Sequence, residues 1–531
     1  MDNNEKHTKT TTSKLKRYGL TILSLFAGLV LAGGVIHYSG NMSQQLLAHS
    51  QTAPFAYLLN QNQQSGPGGS CGTTGIAGSP SSAQAQCLAK KRPDMCLANS
   101  KELCDADREI ARIAWKYFEK NYNPETGLYN ATNNFRSTTM WDTGSALAAT
   151  IAARDFGFID KKDFDDRIMA MFKTLNTMKL FNDEAPNKVY NTKTGAMVDY
   201  ANKAKPDGIG VSILDLGRLA SWLNTLQCMH PRYKTYSKKA LERWKYDRLL
   251  KDGQMYGLAR DEVSKEIKVL QEGRLGYEQY AAKVFRNLGF DMHVAATYNN
   301  KFRRDLDIMD VSIAYDKRDP REFGANNYVI TESYSMDAQE NSIDSENRPL
   351  IQNIFNVQQE RWKRTGIVTA VSEDNIDRKP WFIYNTILNA GIQWSTINPR
   401  GDQFPQYKTV STKAALSLAV LYPEEEYSQV LLDTIENAYN EDSGWYSGVY
   451  EGGLGYNKAL TANTNGNIMA NMLYKKHGSF YELCSGCKRM IELDSKLIVA
   501  NRNLPCGTCG ISTLKTAKDN AVEEYARKDT D

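Results

Sequence analysis

Apolar residues recur every three to four positions along most of the chain from residue 102 onward, which is the period of a helix with one buried face. In the first such segment the apolar side is formed by Ile110, Ile113, Ala114, Tyr117 and Phe118. The same period predicts further helices at 141–156, 162–179, 209–229, 235–251, 277–288, 348–364, 409–421 and 424–439. The pattern therefore predicts a nearly all-helical domain.

Short β-like segments of similar form recur between these helices. Each has an aromatic strand, a polar turn, a return strand and a polar, glycine-containing helix start, and they occupy residues 126–145, 188–212, 254–279 and 443–467. A repeat of helix, hairpin loop and helix favours a closed α/α toroid, because each helix pair buries its apolar face only against its neighbours. The loops before the inner helices then meet at one mouth, where we expect a site. An open solenoid or an irregular bundle is the alternative.

Residues 18–36, YGLTILSLFAGLVLAGGVI, carry no charge and are long enough to cross a bilayer as a helix. Basic residues outnumber acidic ones before this run, which predicts a cytoplasmic N-terminus and export of the residues after the run. No small-x-small cleavage site comes after it, which favours an uncleaved anchor over a signal peptide. The sequence thus predicts a single-pass inner-membrane protein with most of the chain periplasmic or otherwise extracytoplasmic.

Composition divides the chain into six segments. We expect a cytoplasmic basic segment, a transmembrane anchor, a flexible stalk rich in Ser, Gln and Gly, the α/α toroid with its short β-hairpin loops, a cysteine-rich segment and a charged tail. Their bounds are 1–17, 18–38, 39–101, 102–480, 481–513 and 514–531.

Nine cysteines fall into three groups. The stalk group is predicted to form two disulfides, with three pairings open, and consists of Cys71, Cys87, Cys96 and Cys104. The C-terminal group has the pattern C-x2-C, eighteen residues, C-x2-C, and consists of Cys484, Cys487, Cys506 and Cys509. Four such thiolates fit a structural zinc site, but an oxidising compartment slightly favours disulfides. A redox role lacks the surrounding βαβ pattern, and Cys228 is expected to be a buried thiol.

Charge and motif content exclude several classes of function. The chain has 65 basic and 61 acidic residues, so there is no overall field to attract nucleic acid. The motifs of serine hydrolases, zinc proteases, P-loop proteins and dinucleotide-binding folds are absent, and the six histidines have no ligand spacing. We therefore expect no cofactor to be required for chemistry. The 29 Tyr and 8 Trp residues include rings that can stack on sugars, although core packing explains most of them.

Four separated motifs resemble a bacterial family catalogued as domain of unknown function number 3131. They are MWDTGSALAA, FGANNYVITESYSMDAQE, STKAALSLAVLYP and LTANTNGNIMANMLYKK, at residues 140–149, 323–340, 411–423 and 460–476. The resemblance covers roughly residues 105–480. The family is similar in motif style to α/α-toroid glycoside hydrolases, including those that act on β-1,2-glucans, which implies a carbohydrate role by analogy.

Glycoside hydrolysis needs one protonated and one ionised carboxyl group across the bond. Asp142 lies at a helix start, where the helix dipole favours a carboxylate, and Asp207 is predicted to hold the same place in the second repeat. Both are candidate bases, with a plain N-cap as the alternative. Glu332, between an apolar run and a polar helix, is the leading candidate acid. A salt bridge to Arg321 or Arg274 is its alternative.

Asp337 and Glu340 lie near Glu332 in sequence and could replace it, whereas Glu451 and Asp402 lie in polar loops and are weaker candidates. Aromatic and amide side chains beside the same polar loops are predicted to bind a saccharide, and they are Trp141, Tyr334, Trp394, Trp445, Asn463 and Asn465. For any one of them, capping or core packing is the alternative.

The sequence therefore predicts a membrane-anchored envelope protein that binds or hydrolyses a polysaccharide or oligosaccharide. The alternative is a non-catalytic scaffold or binding protein of an envelope complex for secretion, conjugation or polysaccharide export. Two carboxyl groups facing each other across an open cleft favour the hydrolase, whereas acids that are all capped or paired favour the scaffold.

Overall fold

A computed structural model describes residues 102–323, 325–484 and 490–498. The predicted anchor, stalk and charged tail, and most of the cysteine-rich segment, lie outside these residues. Within the described ranges no helix is both long and apolar enough to cross a membrane.

Thirteen α-helices occur in the described residues. They are α1 (Asp105–Asn121), α2 (Met140–Asp155), α3 (Lys161–Thr177), α4 (Ile213–Met229), α5 (Lys234–Glu242), α6 (Tyr277–Asn287), α7 (Pro320–Phe323), α8 (Thr331–Met336), α9 (Asn347–Thr365), α10 (Thr412–Leu421), α11 (Glu426–Ile435), α12 (Ala462–His477) and α13 (Phe480–Leu483). A π-helical turn, Asp337–Asn341, continues α8.

The strands are short and pair antiparallel in small sheets of two to four. They are β1 (Ser137–Thr138), β2 (Tyr190–Asn191), β3 (Gly210–Val211), β4 (Leu250–Lys251), β5 (Gln254–Arg260), β6 (Ile267–Gln271), β7 (Arg303–Ile308), β8 (Val311–Asp316), β9 (Glu373–Asn375), β10 (Phe382–Asn385), β11 (Leu388–Asn389), β12 (Ile392–Gln393), β13 (Thr396–Ile397), β14 (Thr409–Ser411), β15 (Tyr439–Asn440), β16 (Gly444–Trp445), β17 (Gly448–Tyr450) and β18 (Tyr456–Asn457). Most of them lie in the segments that lead into α2, α4, α6, α8, α10 and α12.

Six helices form a closed inner ring. The order around it is α2, α4, α6, α8, α10 and α12, and α12 packs back against α2. The middle of α2 and almost all of α4 are buried on every side, as expected for helices with neighbours all round. This closure confirms the predicted α/α toroid and excludes an open solenoid.

The outer layer consists of α1, α3, α5, α9 and α11, each packed on the inner ring through one face. In α1, α3 and α11 the buried residues lie on one face, as in an amphipathic helix whose other face meets water. Between α6 and α8 the chain forms the β7–β8 hairpin instead of a long outer helix, and β8 packs against α9. The ring is therefore regular inside and irregular outside.

Glycines allow the inner helices to approach closely. A β-carbon added at Gly217 of α4 would lie 2.6 Å from the β-carbon of Ala281 in α6. One added at Gly466 of α12 would lie 2.6 Å from the backbone oxygen of Ser145 in α2. Of these two glycines, Gly466 belongs to a helix start recognised in the sequence, and Gly217 lies further inside its helix.

The period predicted nine of the thirteen helices in the described residues and missed α7, α8, α12 and α13. The ends of the predicted helices were less accurate. The segment expected at 209–229 begins as a helix only at Ile213, because Gly210 and Val211 pair with β5 as a strand. The segment expected at 235–251 is helical only to Glu242, and Leu250 starts β4.

One disulfide in the described residues joins Cys228, near the end of α4, to Cys484, directly after α13. The expectation that Cys228 is a free buried thiol is therefore wrong. Cys104 is disulfide-bonded as well, and Cys71, Cys87 and Cys96 lie outside the described residues. The pairing of the stalk cysteines remains a prediction.

Candidate active site

Polar and charged side chains from the starts of the inner helices meet at one end of the ring, which we call the mouth. The indole N–H of Trp141 on α2 donates to Oδ1 of Asn463 on α12 at 3.0 Å. The amide of Asn463 donates in turn to Oε1 of Glu332 on α8 at 2.9 Å. Lys413, at the start of α10, forms an ion pair with Glu332. Four inner helices thus contribute to one connected cluster.

Two inner helices begin with the same hydroxyl-x-x-Asp arrangement. At α2 the amide of Asp142 donates to Oγ1 of Thr139 at 3.0 Å, and that hydroxyl donates to the Asp142 carboxylate at 2.8 Å. At α4 the corresponding distances between Asp215 and Ser212 are 3.3 and 3.0 Å. The hydroxyl residue caps each helix, so each Asp stands one turn inside it with part of its carboxylate free.

The equivalent of Asp142 in the second repeat is therefore Asp215. Asp207 is exposed and lies in a turn before Gly208, and α4 begins only at Ile213. The predicted equivalence of Asp207 and Asp142 is wrong. The turn needs Gly208 at a φ of 70°, a conformation that places Asp207 in solvent before the chain enters β3.

Glu332 is buried at the base of the mouth, with 1% of its surface exposed. Besides Asn463 and Lys413, the hydroxyl of Ser372 donates to it at 2.9 Å. The proposed salt bridges to Arg321 and Arg274 are wrong, because Arg321 pairs with Asp319 on the surface and Arg274 bonds to Gln271 and to the oxygen of Gly273. Glu332 is thus a carboxylate with three donors and no open side.

Strand β9 brings two more acids to this cluster, Glu373 and Asp374. Burial, and after it the negative charge of Glu332, raise the pKa of Glu373 to about 8. Burial raises the pKa of Asp374 to about 7, although the Ser411 hydroxyl donates to it at 3.1 Å. Asp374 is buried, whereas Glu373 is only half-buried. Within the described part of the chain no cation contacts Glu373 directly, so it is an accessible acid that retains its proton near neutral pH.

A further acidic pair, Asp215 and Glu272, lies at the start of α4. Burial, followed by the charge of Glu272, raises the pKa of Asp215 to about 7. Burial also raises the pKa of Glu272, whose Oε2 accepts the Ile213 amide at 2.7 Å. Burial raises the pKa of Asp142, and hydrogen bonds from Thr139 and the charge of Lys413 oppose it.

Aromatic rings follow the same mouth in a continuous series, which we call the aromatic chain. Its members are Trp141, Tyr277, Tyr328, Tyr384 and Phe382. Successive ring centroids are 5.2, 6.4, 4.3 and 5.2 Å apart. All but the buried Tyr277 are half-buried, so each of the other four residues is partly open to solvent.

Trp141 joins the aromatic chain to the acids. Its ring lies 5.1 Å from the guanidinium of the buried Arg218, and its N–H holds Asn463 against Glu332. Of the predicted saccharide-binding residues, Trp141 and Asn463 are the two that the structure brings together at the mouth. Seven further residues at the mouth were not predicted from the sequence, and they are Tyr277, Tyr328, Tyr384, Glu373, Asp374, Asp215 and Glu272.

Comparison with known proteins places the chain in a family. The profile described as "Protein of unknown function (DUF3131)" matches residues 109–478. The chain belongs to this family. No curated protein matches it.

Several solved structures of bacterial proteins share the fold. A glucoamylase-like protein from Bacteroides caccae ATCC 43185 has a TM-score of 0.53 and 13% identity, over 71% of this chain and 95% of its own. An endo-β-1,2-glucanase from Chitinophaga pinensis, in complex with sophorotriose and glucose, has a TM-score of 0.53 and 12% identity, over 72% and 95%. A β-1,2-glucanase from Parabacteroides distasonis has a TM-score of 0.50 and 12% identity, over 72% and 59%. At these identities the likeness establishes the shared fold.

Three residues predicted to bind a saccharide are instead buried in the core. Tyr334 stacks on Tyr298 with centroids 5.8 Å apart, and the Trp445 indole donates to the oxygen of Ile110 at 3.0 Å. Asn465 is fully buried and bonds to the backbone of Trp445 and Thr461. These three side chains have no open surface for a ligand, so capping and core packing account for them. Trp394 packs against Arg361, whose guanidinium carbon lies 4.9 Å from the centre of its ring.

The other acid candidates are engaged elsewhere. Asp337 pairs with Lys283 at 2.7 Å, Glu340 with Arg218 at 2.8 Å, and Glu451 with Arg361 at 2.9 Å. Asp402 bonds to Asn398 and Arg400 in an exposed loop. The first two belong to the π-helical turn, whose side chains tie α8 to α6 and α4 inside the ring.

The predicted zinc site is not supported at Cys484, because a sulfur in a disulfide with Cys228 is not a thiolate ligand. Its proposed companions Cys487, Cys506 and Cys509 lie outside the described residues. In the ranges that the structure covers, no group of His, Cys, Asp and Glu side chains is arranged to hold a metal ion.

Replacing Lys413 tests the buried cluster as a structural unit. Lys413→Met leaves the Glu332 carboxylate buried without its cation, and we expect a loss of about 3–5 kcal/mol in the free energy of unfolding measured in urea. Adding Glu332→Gln should recover part of that loss. The matched control is Lys162→Met, which breaks an exposed pair with Asp166 and should cost less than about 1 kcal/mol. Equal effects of the two lysine substitutions would contradict the burial of this pair.

Proposed function

We propose that this protein hydrolyses glycosidic bonds of a polysaccharide at the mouth of its toroid. The observation that carries the proposal is that Asp142 and Glu373 each directly follow a residue of the hydrogen-bonded cluster around Glu332, Trp141 and Ser372 respectively, beside the aromatic chain. One acid that retains its proton and another that is ionised are what glycoside hydrolysis requires. The scaffold alternative is less favoured, because Glu373 forms no ion pair within the described residues.

Glu373 is the proposed proton donor to the leaving glycosidic oxygen. With a pKa of about 8 it is protonated at neutral pH. Glu332 cannot take this role while three donors enclose it and 1% of its surface is exposed. We therefore assign Glu332 to positioning: its charge favours the protonated form of Glu373, and Lys413 holds it in place.

Asp142 is the proposed base or nucleophile. Its place in the first turn of α2 exposes it to the positive end of the helix dipole, and the charges of Lys413 and Arg218 also favour its ionised form. Asp215 is the less favoured choice, because the neighbouring Glu272 favours its protonated form. Asp142 therefore keeps the role of base that was proposed from the sequence. The role of acid is assigned to Glu373 instead of Glu332.

The aromatic chain and Asn463 are proposed to bind the sugar. Flat rings stack on pyranose faces, and an amide can bond to sugar hydroxyls. We propose a β-glucan as the substrate class, with β-1,2-linked chains first. Support comes from the fold shared with the Chitinophaga pinensis enzyme, whose structure holds sophorotriose.

The full-length protein incubated with a panel of β-glucans, with release of reducing ends as the readout, tests this function. We expect turnover of one linkage class, with β-1,2-glucan ahead of β-1,3- and β-1,4-glucans. Binding of a glucan without turnover of any would contradict hydrolysis and favour the non-catalytic envelope scaffold.

We also propose that residues 18–36 anchor the protein in the inner membrane, with the toroid outside the cytoplasm. The support is the uncharged run and the basic residues before it. Protease added to intact spheroplasts should digest the toroid. Protection that is lost only on lysis would contradict this topology.

The proposed proton on Glu373 has a consequence for stability. Its pKa is about 8 in the folded protein against an ordinary 4.5, so unfolding releases a proton between these values and stability falls as pH rises across them. The loss is at most about 1.4 kcal/mol per pH unit. We expect the Glu373→Gln variant to lack this pH-dependent loss. Its free energy of unfolding in urea, relative to that of the wild type, should therefore increase from pH 5 to pH 8. A constant difference would contradict the raised pKa.

A further inference from the structure

A small cavity lies beside strands β10 and β13, around Trp394. It is lined by Asn385, Trp394, Lys408, Arg361, Glu451 and Val371, among others. The centre of a water-sized sphere can occupy a volume of about 10 Å³ in this cavity. That is on the order of one water molecule or one small ion.

Two buried donors line this cavity without an acceptor. Oδ1 of Asn385 accepts the Thr396 hydroxyl at 3.0 Å and the Thr409 amide at 3.3 Å, which fixes the orientation of the side-chain amide. Its Nδ2 then has no partner within the described part of the chain, and 2% of the residue is exposed. The buried indole N–H of Trp394 has none there either. A buried donor without an acceptor destabilises the folded state, so two such donors in one cavity indicate that a ligand binds there.

The charge around the cavity is positive. Both oxygens of Glu451 are bonded to Arg361, at 2.9 and 3.0 Å, so this carboxylate is already neutralised. Lys408 adds a second cation, and within the described residues it forms no ion pair. Burial lowers the pKa of Lys408, which means that its charged form lacks sufficient compensation. One positive charge therefore remains beside the two unpaired donors.

We propose that this cavity binds a small monovalent anion of the size of chloride, held by Asn385, Trp394 and Lys408. An anion accepts from all three donors. A water molecule has two lone pairs and can accept from only two of them. Sulfate and phosphate are larger than the space. None of the mouth acids described above lines this cavity, and the proposal does not depend on the proposed hydrolysis.

Thermal unfolding of the full-length protein tests the site without an activity assay. We expect sodium chloride or bromide to raise the unfolding temperature by about 2–4 °C over sodium gluconate at equal ionic strength. Asn385→Asp places a carboxylate in the cavity and should abolish this response. Asn299→Asp, an exposed control, should retain it. Equal unfolding temperatures of the wild type in the three salts would overturn the proposal.

Bromide-soaked crystals of the full-length protein locate the ion. We expect an anomalous peak within hydrogen-bonding distance of Asn385 Nδ2 and Trp394 Nε1. If Asn385→Asp does not fold, Lys408→Met removes the positive charge and should lose the peak and the halide response. A cavity without anomalous density, or with a peak unchanged by Lys408→Met, would contradict the assignment.

Discussion

Glu373→Gln lowers kcat for β-glucan hydrolysis by about 10²- to 10⁴-fold, the usual contribution of a general acid. The amide keeps the size of the side chain but has no acidic proton for the leaving oxygen. An aryl glycoside with an acidic phenol needs no such proton, so we expect the same variant to retain most of its activity on that substrate. The measurement is kcat on both substrates, with circular dichroism to verify the fold.

Asp402→Asn is the matched control for Glu373→Gln. Asp402 is an acid in an exposed loop, bonded to Asn398 and Arg400, and its loss should leave kcat unchanged. A Glu373→Gln variant with wild-type turnover of the glucan would remove Glu373 from the chemistry. Equal losses on glucan and aryl glycoside would show that it is not the proton donor.

Asp142→Asn gives the second large effect, a fall in kcat of about 10²- to 10⁴-fold. Asp142 acts on water or on the anomeric carbon and not on the leaving group. The loss should therefore be similar on glucan and on aryl glycoside, in contrast to Glu373→Gln. The two substrates thus separate the two roles in one experiment.

Asp207→Asn is the control that the chain itself offers. Its sequence context is like that of Asp142, but it is exposed in a turn outside the mouth, so its substitution should be silent. Asp215→Asn is the rival variant. If Asp215→Asn shows the substrate-independent loss and Asp142→Asn does not, the base is Asp215 and the assignment of Asp142 is wrong.

The pH dependence of kcat/KM depends on the same two groups. Glu373 must be protonated, so activity should fall above its pKa of about 8. Asp142 must be ionised, and burial raises its pKa, so the acidic limb should lie above the ordinary range of Asp. In Glu373→Gln assayed on the aryl glycoside, the alkaline limb should disappear.

The ring could be predicted from the sequence because its cause is repeated locally. Four of the six inner helices, α2, α4, α6 and α10, show apolar residues at the helical period, and a hairpin with a polar helix start precedes α2, α4, α6 and α12. The short inner helix α8, TESYSM, shows no such period. The replacement of an outer helix by the β7–β8 hairpin was not predicted, since the segment 303–316 has no repeat elsewhere in the chain.

The site could be predicted only in part. Asp142, Trp141 and Asn463 stand at helix starts, and that local signal places them at the mouth. Asp207 was chosen over Asp215 because the start of α4 was set too early, which hid the hydroxyl-x-x-Asp pattern shared by Thr139–Asp142 and Ser212–Asp215. A comparison of the two four-residue segments, Thr139–Asp142 and Ser212–Asp215, would have identified Asp215.

Glu373 and Asp374 lacked a motif of their own, and their importance depends on burial and on Glu332, more than forty positions earlier in the chain. Long-range pairing of this kind leaves no local pattern. The same limit explains Tyr334 and Trp445. Their neighbouring residues are polar, but Tyr298 and Ile110, which bury them, come from distant segments. The Cys228–Cys484 disulfide was hidden for the same reason, since 256 positions separate the two cysteines.

A crystal structure of Glu373→Gln with a β-1,2-glucan oligosaccharide tests the convergence of acids and rings at the mouth most directly. We expect sugar rings along Trp141, Tyr328 and Tyr384, with a glycosidic oxygen within hydrogen-bonding distance of the side chain at position 373 and Asp142 on the opposite side of that bond. An oligosaccharide bound away from the mouth, or a bound chain with no linkage between these two residues, would contradict it.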